Sequence, residues 1–251
     1  MDLGVDGRVA LVLGASAGMG RAIAAELAAE GARVAVASRT PERIEAAATA
    51  IGHGTRAYVH DNANLDAAAA LVDAVEADLG PLDILVTNTG GPPPNADPLG
   101  FTREQWLDAY RTLVLAPITF IQRALPGMRE RGFGRIVNVS SSAVREPIST
   151  LMLSSAHRTG LLAAFKTIAR HVAPEGVTVN TVLPGRIATD RLFSTHGGRP
   201  AAQARAAREV PAGRLGTPEE FAAVVAFLCS ARASYVTGTA LLVDGGLTVG
   251  V

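Results

Sequence analysis

Val9-Ala10-Leu11-Val12-Leu13-Gly14-Ala15-Ser16-Ala17-Gly18-Met19-Gly20 decides how this chain folds. The five apolar residues of Val9–Leu13 are too few for a helix and, bounded by glycine, read as a strand buried on both faces. From Met19 to Glu30 the apolar residues recur with helical period. A strand, a glycine-rich turn and a helix in direct succession aim backbone N–H groups and a helix N-terminus at one point, which is an anion site. Glycine is required there where the backbone turns sharply and where it must approach a pyrophosphate closely. Gly14, Ser16, Gly18, Met19 and Gly20 therefore read as a phosphate cradle.

The same alternation continues outward. Short apolar runs at Arg33–Ala37, Arg56–Val59, Ile84–Thr87, Arg135–Val139, Thr178–Leu183 and Ala240–Val243 read as strands. Between them, segments near Pro41–Ile51, Leu65–Leu79, Arg103–Arg131, Leu153–Val172 and Pro218–Ser230 read as helices. This is the pattern of an α/β protein with a doubly wound, Rossmann-type parallel sheet of seven strands covered by helices on both faces, with ligands beyond the C-terminal strand ends. No linker or charge block divides residues 1–251, so a single domain is expected. Two stretches look irregular, Gly90–Gly100 with its Pro92–Pro94 run and Ile187–Val210. Both follow strands, and residues 187–210 are expected to form a substrate loop.

Composition removes several function classes. Lys+Arg and Asp+Glu both number 23, so there is no basic excess to neutralise nucleic acid. The single Cys229 makes no internal disulfide, and no Cys/His set has zinc-ligand spacing, so no metal site is expected. His53, His60, His171 and His196 are isolated in sequence. Met1 to Arg8 carries Asp2 and Asp6 instead of a basic start before an apolar run, and no stretch approaches a membrane span. A soluble cytoplasmic protein with a small-molecule substrate is the expectation.

The glycine spacing at 14, 18 and 20 resembles that of the short-chain dehydrogenase/reductase family, specifically its 3-oxoacyl-(acyl-carrier-protein)-reductase-like members. Further landmarks follow in order: Asp61, Asn88-Thr89-Gly90, Asn138-Val139-Ser140-Ser141, Pro184-Gly185 and Val243-Asp244-Gly245-Gly246. The resemblance implies that Asp61 with Asn62 meets the adenine and that Asn88 and Gly90 line the dinucleotide cleft. It likewise implies that Pro184, Gly185, Ile187 and Thr189 lie on the nicotinamide side, and that the chain forms a homo-oligomer, tetramer or dimer. An acid at the end of the second strand would bind both ribose hydroxyls. Here Ser38 stands in that place and Arg39 follows, a planar fork of donors suited to a 2′-phosphate, so NADP(H) is favoured and NAD(H) stays open.

The catalytic pattern of that family departs here. Relatives use a Ser, a Tyr thirteen positions on, a Lys four further, and an Asn on the long helix after the fourth strand. In this chain the series reads Ser141, Ser154 and Arg158, and Leu113 falls at the Asn position counted from Trp106. No Tyr or Lys lies anywhere in Leu151–Arg158. Losing a positioned acid–base group costs on the order of 10²–10⁴ in rate. A guanidinium keeps its proton, so Arg158 cannot be the acid, although it can bind a ribose and place positive charge near a developing oxyanion. Glu146 is the candidate surrogate acid or base. His157 lies one residue off the 154/158 face, and Tyr110 either reaches the cleft or packs in the core.

Three readings share this fold. One is an NADP(H)-dependent reductase or dehydrogenase of a small carbonyl, imine or alcohol whose proton comes from elsewhere. A second is a dinucleotide-binding protein without redox turnover. The third is non-redox catalysis, as in the halohydrin dehalogenases, which Arg158 resembles but the intact glycine cradle does not. Arg145, Arg186 and Arg191 come after strands that converge at one sheet edge, and Arg158 keeps positive charge deep in the expected cleft, so an anionic substrate clamped by two of them is expected.

Overall fold

The computed structural model describes residues 2–250; Met1, which begins the acidic N-terminal stretch, and Val251 lie outside them. Strands β1 (Val9–Leu13), β2 (Arg33–Ser38), β3 (Arg56–Val59), β4 (Leu82–Asn88), β5 (Gly134–Val139), β6 (Val177–Pro184) and β7 (Ala240–Val243) form one sheet in the order β3-β2-β1-β4-β5-β6-β7. Every pairing is parallel. The winding reverses between β1 and β4, which opens a crevice at the C-terminal strand ends.

The pleat sends alternate residues of each strand to opposite faces. Ala10 and Val12 of β1 join a core with Ile23 and Leu27 of helix α1 (Gly18–Ala29), Ile44 of α2 (Pro41–Ile51) and, from the far end of the chain, Phe221 and Val225. Val9, Leu11 and Leu13 face the other way, onto Val72 and Val75 of α3 (Ala67–Leu79) and onto Phe120 and Phe165. Two apolar cores thus sandwich the sheet, which explains why β1 reads as an uninterrupted apolar run.

The expected helix Arg103–Arg131 is not continuous. It comprises α4 (Arg103–Tyr110), a π-helical turn at Arg111–Leu115 and α5 (Ala116–Glu130). Pro117 has no N–H to give the Leu113 carbonyl, and the Ala116 N–H bonds instead to Arg111 O, five residues back. That extra residue bulges the helix beside α6 (Met152–Val172), which carries Ser154 and Arg158.

Residues 187–210 are also more regular than expected. After a bridge between Ile187 and Gly216 they form α7 (Asp190–Thr195) and α8 (Arg199–Glu209), with Ala202, Ala206 and Val210 as a small separate core. Their short apolar spacing, punctuated by Gly197-Gly198, hides two brief helices. The last helix, α9 (Pro218–Cys229), starts at a reciprocal cap between Thr217 and Glu220. No helix among the described residues is long and apolar enough to cross a membrane.

Candidate active site

The cradle lies at the crevice mouth. Gly14 and Gly18 have φ of +61° and +55°, a left-handed backbone that branched residues rarely adopt. A Cβ on Gly20 would come within 2.4 Å of Gly14 O, so the first turn of α1 packs onto the loop only because it is glycine. Asn88, at the end of β4, donates from Nδ2 to Gly14 O at 3.0 Å and holds the loop from below. Gly18 faces the Thr189 side chain, whose Cγ2 would lie 3.2 Å from a Cβ, and Thr189 itself caps α7 by accepting from Leu192 N. Ser16 and Met19 are half-buried along the same turn. The tight, open-faced backbone fits a pyrophosphate.

Around the cradle the other sequence-derived cofactor residues gather at the strand ends. Ser38 closes β2 with its hydroxyl buried and without a partner, and the adjacent Arg39 is exposed. Asp61 accepts from Ala63 N at 3.0 Å, and Asn62 donates to Thr89 Oγ1 at 2.6 Å, tying the β3 end to the segment after β4. Gly90 and Gly91 follow. On the far side, Gly185 is fixed by its N–H bond to Val243 O, and a Cβ there would strike Asp244 Cβ at 2.5 Å. Pro184 pairs with Val243, and Ile187 is buried behind them.

Ser154 and Arg158 meet on one face of α6, one turn apart. Arg158 is buried and three of its nitrogens are engaged: Nε donates to Ser154 Oγ (3.1 Å), Nη1 to Val139 O (3.0 Å) and Nη2 to Thr89 O (2.8 Å). The guanidinium therefore spans the ends of β4 and β5. Burial, and then the charge of Arg191, push its pKa down to about 10, which leaves it cationic at neutral pH. Ser154 Oγ accepts from that cation, and its own hydrogen has no acceptor among the described residues. Ser141 does not bond to either; it caps the following 3-10 turn by accepting from Ala143 N. Leu113 is buried in the π turn.

Several expected participants lie elsewhere. Glu146 is not free to act as an acid or base, because its Oε1 accepts the amides of Val249 (2.6 Å) and Gly250 (2.9 Å) and holds the C-terminal tail. His157 stacks against Trp106 and Tyr110 of α4, with centroids 5.3 and 6.2 Å apart, and Tyr110 is largely exposed instead of entering the cleft or core. Arg186 is drawn off by Glu209 and His196, and Arg145 is exposed. Of the four arginines, only Arg158 and Arg191 reach the crevice. Missing from the sequence-derived set is Gly91, whose bare face meets both; the Gly90-Gly91 doublet was its signal. No group of three or more His, Cys, Asp or Glu among the described residues could hold a metal ion.

A family model described as enoyl-(acyl carrier protein) reductase matches residues 14–248. The 3-oxoacyl-(acyl-carrier-protein) reductase FabG of Vibrio cholerae is 36% identical over 245 residues, covering 98% of this chain and 99% of that one. Among solved structures, L-sorbose reductase from Gluconobacter frateurii, complexed with NADPH and L-sorbose, superimposes with a TM-score of 0.93 at 32% identity, covering 100% of both chains. YwfH, an NADPH-dependent reductase involved in bacilysin biosynthesis, gives 0.91 at 32% identity, covering 97% of this chain and 99% of that one. The chain belongs to the short-chain dehydrogenase/reductase family, in the branch described as enoyl-(acyl carrier protein) reductase.

Proposed function

We propose that this chain is an NADP(H)-dependent reductase of a small carbonyl or imine substrate in which a serine polarised by an arginine stands where relatives carry Tyr and Lys. The observation that carries the reading is the intact cradle: Gly14 clamped by Asn88, Gly18 against Thr189, and Ser38-Arg39 open at the end of β2. A protein that had lost its dinucleotide would have no need to keep Gly14 and Gly18 in left-handed backbone or Gly20 within van der Waals reach of it. Residues Gly14 to Gly20 would hold the pyrophosphate, Arg39 the 2′-phosphate, and Asp61 with Asn62 the adenine side. Asn88, Gly90, Pro184, Gly185, Ile187 and Thr189 would line the nicotinamide side. When bound, the nicotinamide supplies a hydride.

The chain's own contribution is electrostatic. Ser154 spends its oxygen lone pair on Arg158 Nε, so its O–H is left to donate to a substrate oxygen, strengthened by the cation behind it. Charge developing on that oxygen is met by a donor already in place. Arg158 does not give up its proton, and the proton that finally satisfies the substrate oxygen comes from water. Ser141 accepts from Ala143 N and so caps the turn that follows β5. Residues 187–210, with α7 and α8, form the wall over the substrate. We place the protein in the cytoplasm as a homo-oligomer; the exposed Leu107 and Tyr110 on α4 support a contact surface there.

Titration with NADPH and NADH, followed by a turnover screen over ketones, imines and activated alkenes, tests this reading. Tight NADPH binding with reduction of at least one class is expected. Binding without turnover on any class would leave a dinucleotide-binding protein, and no binding would remove the reading altogether.

A further inference from the structure

We propose that Arg191, backed by Arg158 and facing the open side of Gly91, is a carboxylate site, so that the substrate is a short oxo acid and not a neutral ketone or a thioester. The inference rests on the reductase reading for its oxo group and on geometry alone for its acid.

Arg191 leaves α7 and donates from Nη2 to Gly91 O at 2.8 Å, the only hydrogen bond of its side chain among the described residues. Arg191 is exposed, its Nε and Nη1 have no protein acceptor among the described residues, and partial desolvation of the group lowers its pKa from the ordinary arginine value. Neither Arg191 nor Arg158 has a carboxylate within ion-pair distance among the described residues, whereas eight ion pairs form elsewhere. A buried guanidinium, Arg158, beside an exposed one, Arg191, with no acid near either, makes a positive site that an anion relieves.

The space in front of them is kept clear. A Cβ on Gly91 would lie 3.3 Å from Arg191 Nη2, 3.4 Å from Ser154 Oγ and 3.9 Å from Arg158 Nη2, and one on Gly90 would lie 3.0 Å from Arg191 Nη1. Neither glycine has a positive φ, so the turn does not need them for backbone freedom. What their missing side chains leave is a groove edged by two guanidinium groups and a hydroxyl. An oxo acid fits it in one orientation, with its carboxylate on the free donors of Arg191 and its oxo oxygen at the Ser154 hydroxyl. Planar, forked pairing with a carboxylate is what a guanidinium does best.

The test has a binding arm and a turnover arm. In the first, acetate, propionate and butyrate are compared with their amides by calorimetry on the NADP+ complex at constant ionic strength. In the second, pyruvate, 2-oxobutyrate and acetoacetate are compared with their methyl esters as substrates. The acid is expected to be favoured at least tenfold in both arms. Arg191→Gln should erase that preference by weakening the acids and sparing the neutral partners. Gly91→Ala, which keeps every charge and needs no unusual backbone, should do the same by filling the groove. Arg191→Lys should restore part of it. Equal affinity within each pair in the wild type, or a preference that survives both Arg191→Gln and Gly91→Ala, overturns the site. Selective acid binding with no reduction of any substrate upholds the site and removes the reductase reading. Reduction of esters without any preference for acids does the reverse.

Discussion

Asn88 reaches back 74 residues to donate to the carbonyl oxygen of Gly14, at 3.0 Å. The bond joins the two strands that flank the reversal of winding, β1 and β4, where ligands bind in sheets of this kind. Asn88→Ala leaves Gly14 O without this partner and frees the loop to sag. A hydrogen bond of this sort contributes about 0.5–1.5 kcal/mol. NADPH affinity is therefore expected to fall by roughly 3- to 10-fold, with a small loss of thermal stability. Calorimetry with NADPH reads the first effect. An unchanged dissociation constant would mean that the loop keeps its shape without the tether.

Arg39 has no hydrogen-bond or ion-pair partner among the described residues and stands beside the unpartnered Ser38 hydroxyl. Arg39→Ala should weaken NADPH by roughly 1.5–3 kcal/mol, the worth of a hydrogen bond to a charged group, and should leave NADH nearly unaffected. The ratio of the two dissociation constants is the readout. A ratio equal to that of the wild type would detach Arg39 from the choice of cofactor.

The sheet was legible because each buried strand is an apolar run bounded by turn residues, and all seven strands lie within two residues of where the pattern puts them at either end. The cradle was legible because glycine leaves a mark in sequence wherever backbone must be close or left-handed. What was hidden is tertiary. Nothing local marks the fracture between α4 and α5 except Pro117, whose missing N–H acts through a carbonyl four residues back. Arg145, Arg186 and Arg191 after strand ends, and Arg158 on α6, look alike in sequence, and only folding assigns Glu209 to Arg186 and leaves Arg191 without an acid. Glu146 looked available for the same reason, since the tail amides it binds lie more than a hundred residues away.

His60 is buried at the end of β3, edge-on to Phe120 at 5.2 Å, with Nε2 unpartnered. Desolvation lowers its pKa below the ordinary histidine value, and the nearby Asp61 opposes this only in part. The stability it contributes is complete above the unfolded value of about 6.5. As pH falls below that value the unfolded chain takes up a proton that the folded chain refuses, so stability drops until the folded pKa is reached. His60→Phe keeps the ring contact and removes the titration. The urea midpoint of the wild type should therefore fall more steeply between pH 7 and 5 than that of the variant. Parallel curves would show that His60 titrates alike in both states.

Restoring the residues that relatives carry tests how far the site has moved. Arg158→Lys replaces three directed donors with one ammonium, so that Thr89 O, Val139 O and Ser154 Oγ can no longer all be served. Each buried acceptor left unpaired costs about 1–3 kcal/mol, and the single variant is expected to melt several degrees lower. Ser154→Tyr alone would push a ring past Gly91 with no lysine to lower its pKa, and should gain little. Together the two changes rebuild a phenol that can give its proton, with an ammonium beside it. A positioned acid of that kind contributes on the order of 10²–10⁴ in rate. Reduction of neutral methyl ketones by the paired variant should rise by roughly 10²-fold or more, while the advantage of oxo acids shrinks because Arg158 is gone. Steady-state kinetics on matched ketones and acids would show both. If the pair gains nothing, the next change is Leu113→Asn in the π turn, which faces the same helix. Failure of all three together would mean that this cleft has been rebuilt around Arg191 and Ser154 and no longer has room for a tyrosine acid.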